Sequence, residues 1–179
     1  MADETNARRW SMRITYVGLC LLVMFFHLLP LSTVPRGWAG PDLLIALSFA
    51  WVVRRPDYVP TLAVAAMLLL ADMLFQRPPG LWSALVLIAM EGLRSSGRRS
   101  RQDGFALEWM NMAITLTVIT VIYQLILMML IAGPPPLTLS LMALIATILA
   151  YPVVVLLSGV LLGVRKAAPG AIDALGHRI

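Results

Sequence analysis

The stretch Arg54-Arg55-Pro56-Asp57-Tyr58-Val59-Pro60 stands between two apolar runs, at about 42–53 and 60–75, and the side of a membrane on which it lies decides the fold. An α-helix rises 1.5 Å per residue and needs about 20 residues to cross a hydrocarbon core of about 30 Å. Both runs fall short of that length, so length alone leaves their crossing open. Charge supplies a second criterion, because short loops rich in lysine and arginine stay on the cytoplasmic side. Working outward, four more apolar runs lie at about 13–31, 80–92, 107–132 and 137–164. If all six cross with the N-terminus inside, Arg8, Arg9, Arg13, Arg54, Arg55, Arg94, Arg98, Arg99, Arg101, Arg165, Lys166 and Arg178 lie inside. Only Arg36 and Arg77 then fall outside, a split of twelve against two. If the run at 42–53 fails to cross, the best split is ten against four, with the three N-terminal arginines outside. Six crossings are therefore expected, with short middle helices lying among longer ones, where protein or local bilayer deformation covers their polar ends.

Composition agrees with a bilayer environment. Of 179 residues, 60% are hydrophobic and 13% charged, and a mean hydropathy of +0.85 lies outside the range of soluble domains. A net charge of +5 would suit nucleic acid if it formed one basic face. The basic residues instead sit in clusters between apolar runs, so no nucleic-acid partner is expected. The single cysteine, Cys20, excludes an intramolecular disulfide and a Cys-based metal framework. The arginines before the first apolar run resemble a secretory signal, but no small-x-small cleavage site follows, and the segment reads as an uncleaved first helix. The chain thus reads as one all-α integral membrane domain, 1–179, built as a six-helix transmembrane bundle. Its tails, at about 1–12 and 165–179, are expected to be cytoplasmic.

Segment ends carry their own signals. Pro41 and Asp42 open the second segment, where a proline withholds no needed donor and a carboxylate meets the positive end of the helix dipole. Arg54 and Arg55 close it at the negative end. Pro78-Pro79-Gly80 and Gly133-Pro134-Pro135-Pro136 read as tight outer turns.

The sequence holds none of the motifs of metal hydrolysis, nucleotide binding or serine hydrolases, and only two histidines. Catalysis, a metal and a cofactor are not expected. Asp72 is the most informative residue, since an ionisable group in an apolar helix is costly and persists for a reason. It reads chiefly as a cap on the fourth segment or a partner of Arg77, and secondly as a proton, ligand or partner-subunit site. Glu91 sits one helical turn from Arg94, which favours a local ion pair. His27 lies near the outer interface, within reach of water or a carbonyl. Gln124, Thr115, Thr117, Thr120, Thr147 and Ser158 are placed to hydrogen-bond between helices. Trp10, Trp38, Trp82, Trp109, Tyr58 and Tyr151 lie near segment ends and read as headgroup-level anchors. The cytoplasmic basic loop with Arg94, Arg98, Arg99 and Arg101 would attract anionic lipid at about 1 kcal/mol per residue, or a cytoplasmic partner.

Four stretches carry a family resemblance. Pro41-Asp42-Leu43-Leu44-Ile45-Ala46-Leu47, then Arg54-Arg55-Pro56-Asp57-Tyr58-Val59-Pro60, Leu68-Leu69-Leu70-Ala71-Asp72-Met73-Leu74 and Pro79-Gly80-Leu81 together resemble the core of the MreD family over about 41–93. Asp72 matches that family's acidic residue in the third segment and Gly80 the glycine opening the fourth, whereas Leu68 stands where glycine is common. The resemblance implies a non-enzymatic subunit of the bacterial rod-shape machinery in the inner membrane. Such a subunit binds the scaffold MreC and associates with RodA, its partner transpeptidase and the filament MreB, to position or activate peptidoglycan synthesis. The helical arrangement of that family also resembles the substrate-binding subunits of energy-coupling vitamin transporters. This supplies the alternative, a bundle holding a small ligand near its outer side with Asp72 and Gln124 in the pocket.

Overall fold

Apolar runs bounded by proline, glycine and charge become helices throughout. In a computed structural model, residues 2–29, 38–99, 104–130 and 136–164 are described. They form α1 (Ala2–Leu28), α2 (Leu43–Arg54), a single 3-10 turn at Pro56–Tyr58, α3 (Thr61–Leu74), α4 (Leu81–Arg99), α5 (Phe105–Met129) and α6 (Leu137–Leu161), with no strand among the described residues. Three spans, Asn6–Leu28, Phe105–Met129 and Leu137–Leu161, are long and apolar enough to cross a membrane. At 25 residues, α5 and α6 each extend about 37 Å, whereas the 12 residues of α2 reach only about 18 Å.

The shortness of α2 has a physical answer. Every residue from 44 to 52 is buried, so the helix is apolar all round because protein surrounds it. It packs against α1, α4 and α6. Phe49, Ala50 and Trp51 are wholly enclosed, and the Trp51 indole donates to Ser158 Oγ at 3.1 Å. By contrast α3 exposes Leu62, Leu69 and Met73 and lies at the edge.

Side-chain pairings give the helix directions. Tyr16 with Ser48, Asp72 with Ser83, Thr61 with Glu91 and Gln124 with Ser140 each join neighbours running oppositely. Asp42 with Thr147 and Trp51 with Ser158 join α2 to α6 running the same way. Hence α1, α3 and α5 point one way and α2, α4 and α6 the other. Arg13, Arg54, Arg55 and Arg94 gather at one end of the bundle, and Asp42 and Arg77 stand at the other.

Several expected boundaries need correction. α1 begins at Ala2, well before residue 13, because the polar lead-in carries alanine, glutamate and arginine, all good helix formers. α4 runs to Arg99 and not to 92, since no proline stops it and Leu93 adds another buried turn to the core. The expected basic loop is therefore helical through Arg98 and Arg99, while Arg101 lies outside the described residues. α5 starts at Phe105 with Glu108 in its first turn. α6 stops at Leu161, where Gly163 takes a φ of +66°. Residues 30–31 and 131–132, read as helix ends, and most of the turn at 133–136 lie outside the described residues.

One proline sits inside a helix. Pro152 lacks the N–H that would bond the carbonyl four residues back, at Ile148. The Trp109 indole of α5 donates to that same carbonyl at 2.9 Å. A tryptophan from the neighbouring helix thus replaces the missing backbone donor and ties α5 to α6.

Candidate functional site

The start of α2 and the turn from α3 into α4 each hold a carboxylate, and Arg77 of the turn reaches the one on α2. Asp42 caps α2, its Oδ1 accepting from the Ile45 amide at 3.2 Å, and its own amide donates to Thr147 Oγ1 at 2.8 Å. Pro41 precedes it, half-buried. Asp72 is wholly buried, and its Oδ2 accepts from the Gly80 and Ser83 amides, both at 3.1 Å, and from Ser83 Oγ. It caps α4 across the turn. Gly80 takes a φ of +85°, which a side chain rarely adopts, so the turn depends on glycine there. The expected pairing of Asp72 with Arg77 does not occur: Arg77 Nη2 lies 3.5 Å from Asp42 Oδ2 instead.

Arg77 is also held by aromatic faces. Its guanidinium lies 5.3 Å from the Phe75 ring and 5.7 Å from that of Trp82. Trp82 in turn meets Tyr123 edge-on at 4.9 Å. Around this group opens a cavity of about 450 Å³, lined from α2 by Asp42 and Ile45, from α4 by Trp82, from α5 by Leu116, Tyr123 and Gln124, and from α6 by Ser140 and Leu144. That is the volume and the mostly apolar, sparsely polar lining of a small-ligand site. A second cavity, of about 590 Å³, lies toward α1 beside Phe26 and His27, and Asp42 and Arg77 line both. The His27 ring sits 4.4 Å from that of Phe75.

Two side chains in the first cavity carry unspent hydrogen-bonding capacity. Trp82 and Gln124 are 8% and 7% exposed, and Trp82 Nε1 and Gln124 Oε1 have no partner. Each such buried group costs about 1–3 kcal/mol. Gln124 spends its amide on Ser140 of α6, as its interhelical role requires. Asp72, which only the transporter alternative puts in a pocket with Gln124, faces the α4 N-terminus and is not among the lining residues.

The opposite end holds a denser polar network. Glu108 has a side chain only 2% exposed, 3.0 Å from Arg54 Nε, and accepts from the Tyr151 hydroxyl at 2.9 Å. Sequence reading passed over Glu108 as the margin of an apolar run, and only its spacing behind Gly104 hinted at a first-turn acid. Glu91 pairs with Arg94 at 3.1 Å as expected, and both bond Thr61 Oγ1. Arg94 further donates to the Val59 carbonyl at 2.8 Å, so it clasps the α2–α3 connection and is no free loop cation.

The aromatic anchors divide. Trp10 and Trp38 are exposed, but Trp82, Tyr58 and Tyr151 are buried, which corrects the reading of all six as surface anchors. Tyr151 is inside and Trp109 half-buried because their polar tips find partners there. Thr147 and Ser158 bond between helices, while Thr117 and Thr120 bond back to carbonyls of their own helix. No group of three or more metal-ligating side chains occurs among the described residues. Comparisons of the chain with protein-family models, with curated proteins and with solved structures find no match.

Proposed function

We propose that the protein is a non-enzymatic scaffold subunit of the bacterial rod-shape machinery. It crosses the inner membrane six times with both termini cytoplasmic, and helps position or activate peptidoglycan synthesis. The observation that carries this reading is the resemblance to the MreD family over about 41–93, together with the work its polar members do. Asp42 caps α2 and meets Arg77 of the α3–α4 turn, which Asp72 closes by capping α4 across Gly80. A motif spent on helix junctions suits a protein that presents surfaces. The partners are MreC, RodA with its transpeptidase, MreB on the cytoplasmic side, and anionic lipid at Arg98, Arg99 and Arg101. The gathering of Arg13, Arg54, Arg55 and Arg94 at one end supports the orientation under the positive-inside rule.

Depleting the protein from its native cells and purifying a tagged copy in mild detergent tests this. Cell rounding with recovery of MreC and RodA is the expected result. Normal shape with neither partner recovered sinks it. The cavity beside Arg77 favours a second reading, the substrate-binding subunit of a small-molecule transporter, for which an ATPase module and a bound vitamin would co-purify instead.

A further inference from the structure

We infer that the cavity between α2, α4, α5 and α6 is a binding site for a zwitterion, a molecule or head group bearing an acid and a primary amine on a short linker. The inference requires neither cell-shape machinery nor transport.

Charge balance selects this class. Arg77 and Asp42 line the cavity with side chains 30% and 21% exposed, and a single contact of 3.5 Å joins them. A guanidinium has five donors, and this contact uses one of them. Asp42 Oδ2 likewise retains acceptor capacity beyond the Arg77 contact. A simple anion drawn to Arg77 would lie against the Asp42 carboxylate, and a simple cation drawn to Asp42 would lie against the guanidinium. A linked acid and amine satisfies both.

The unpartnered groups repeat the same polarity. Trp82 Nε1 is a donor and Gln124 Oε1 an acceptor, each on a lining side chain more than nine-tenths buried. Beside the ion pair the site thus offers a free indole donor and a free amide acceptor, against an apolar wall that includes Leu116 and Leu144. Because Asp42 and Arg77 also line the neighbouring cavity toward α1, an acyl chain has space on either side of a head group held by the pair.

The chemistry has two sources, a phosphatidylethanolamine head group or a soluble amino acid-like zwitterion. Native mass spectrometry of the full chain in mild detergent separates them, with phosphatidylethanolamine, phosphatidylglycerol, phosphatidylcholine and glycerophosphoethanolamine as probes. Retention of phosphatidylethanolamine about tenfold above the other two lipids is expected. Phosphatidylglycerol lacks the cation, and the choline head group has no N–H for Asp42 or Gln124. Displacement by glycerophosphoethanolamine at similar concentration assigns the site to a soluble ligand, and no displacement assigns it to the lipid. D42N, which keeps a capping oxygen for α2, and R77Q are each expected to lose the tenfold preference. A143F, which fills the cavity from α6, is expected to abolish retention. Equal retention of all three lipids, or D42N retaining phosphatidylethanolamine as the unaltered chain does, overturns the proposal even if R77Q fails to fold.

Discussion

Asp72 contributes through geometry. Its carboxyl closes a turn by taking two amides and a hydroxyl, so D72A removes a cap inside the core and is expected to cost about 1–3 kcal/mol, with D72N costing less. Thermal unfolding in detergent reads the difference, and equal losses would contradict the capping role. Glu108 acts on a different principle, as a buried charge held by Arg54 and Tyr151. Leaving Arg54 without its acid is expected to cost about 3 kcal/mol in E108M, while R54M/E108M, which removes both charges, costs less. At this scale the sequence was unevenly legible. The capping of α2 follows from Pro41-Asp42 before an apolar run, and that of α4 from an acid eight residues before Gly80, because both partners are local. The Glu108 network joins residues 54, 108 and 151, and no local spacing announces a partner so distant. The Arg77–Asp42 pair was missed for the same reason, with Asp72 the nearer acid in sequence.

Helices here correct one another's defects. Pro152 breaks the hydrogen-bond ladder of α6 at Ile148, and Trp109 of α5 repairs it. W109F should therefore cost about 1–3 kcal/mol in the natural chain but much less beside P152A, where a backbone N–H returns to the carbonyl. A double-mutant cycle in thermal unfolding measures that coupling, and additivity between the two substitutions would refute the repair. Element existence was legible from apolar runs and their proline or glycine margins, and all six helices lie where those runs are. Element ends were less so. The apolar run of α4 ends at about 92, yet Leu93 and Arg94 still find partners beyond it, so packing carries the helix on.

Across the described residues the arginines are placed with a consistency that single segments do not reveal: Arg13, Arg54, Arg55 and Arg94 at one end and Arg77 at the other. With helix directions alternating, a crossing by the long helices would carry α2 and α3 across with them. Cysteines introduced at Asp57 and Pro79, in a chain whose buried Cys20 is replaced by alanine, test this with a membrane-impermeant maleimide. P79C is expected to label in intact cells and D57C only after permeabilisation. Labelling of both from one side would remove α3 as a crossing helix.

The enclosure of α2 sets the order in which the chain can mature. Its cover comes from α1 on one side but from α4 and α6 on the others, and α6 leaves the ribosome after the other five described helices. If the short helices cross with the long ones, a helix of about 18 Å would until then wait in lipid with its ends unshielded. The nascent protein would then depend on whatever shields half-built bundles during insertion. A chain ending before α6 should be cleared by membrane proteases even though about three-quarters of these 179 residues have been made correctly, and its half-life in a pulse-chase would show α6 acting as the keystone.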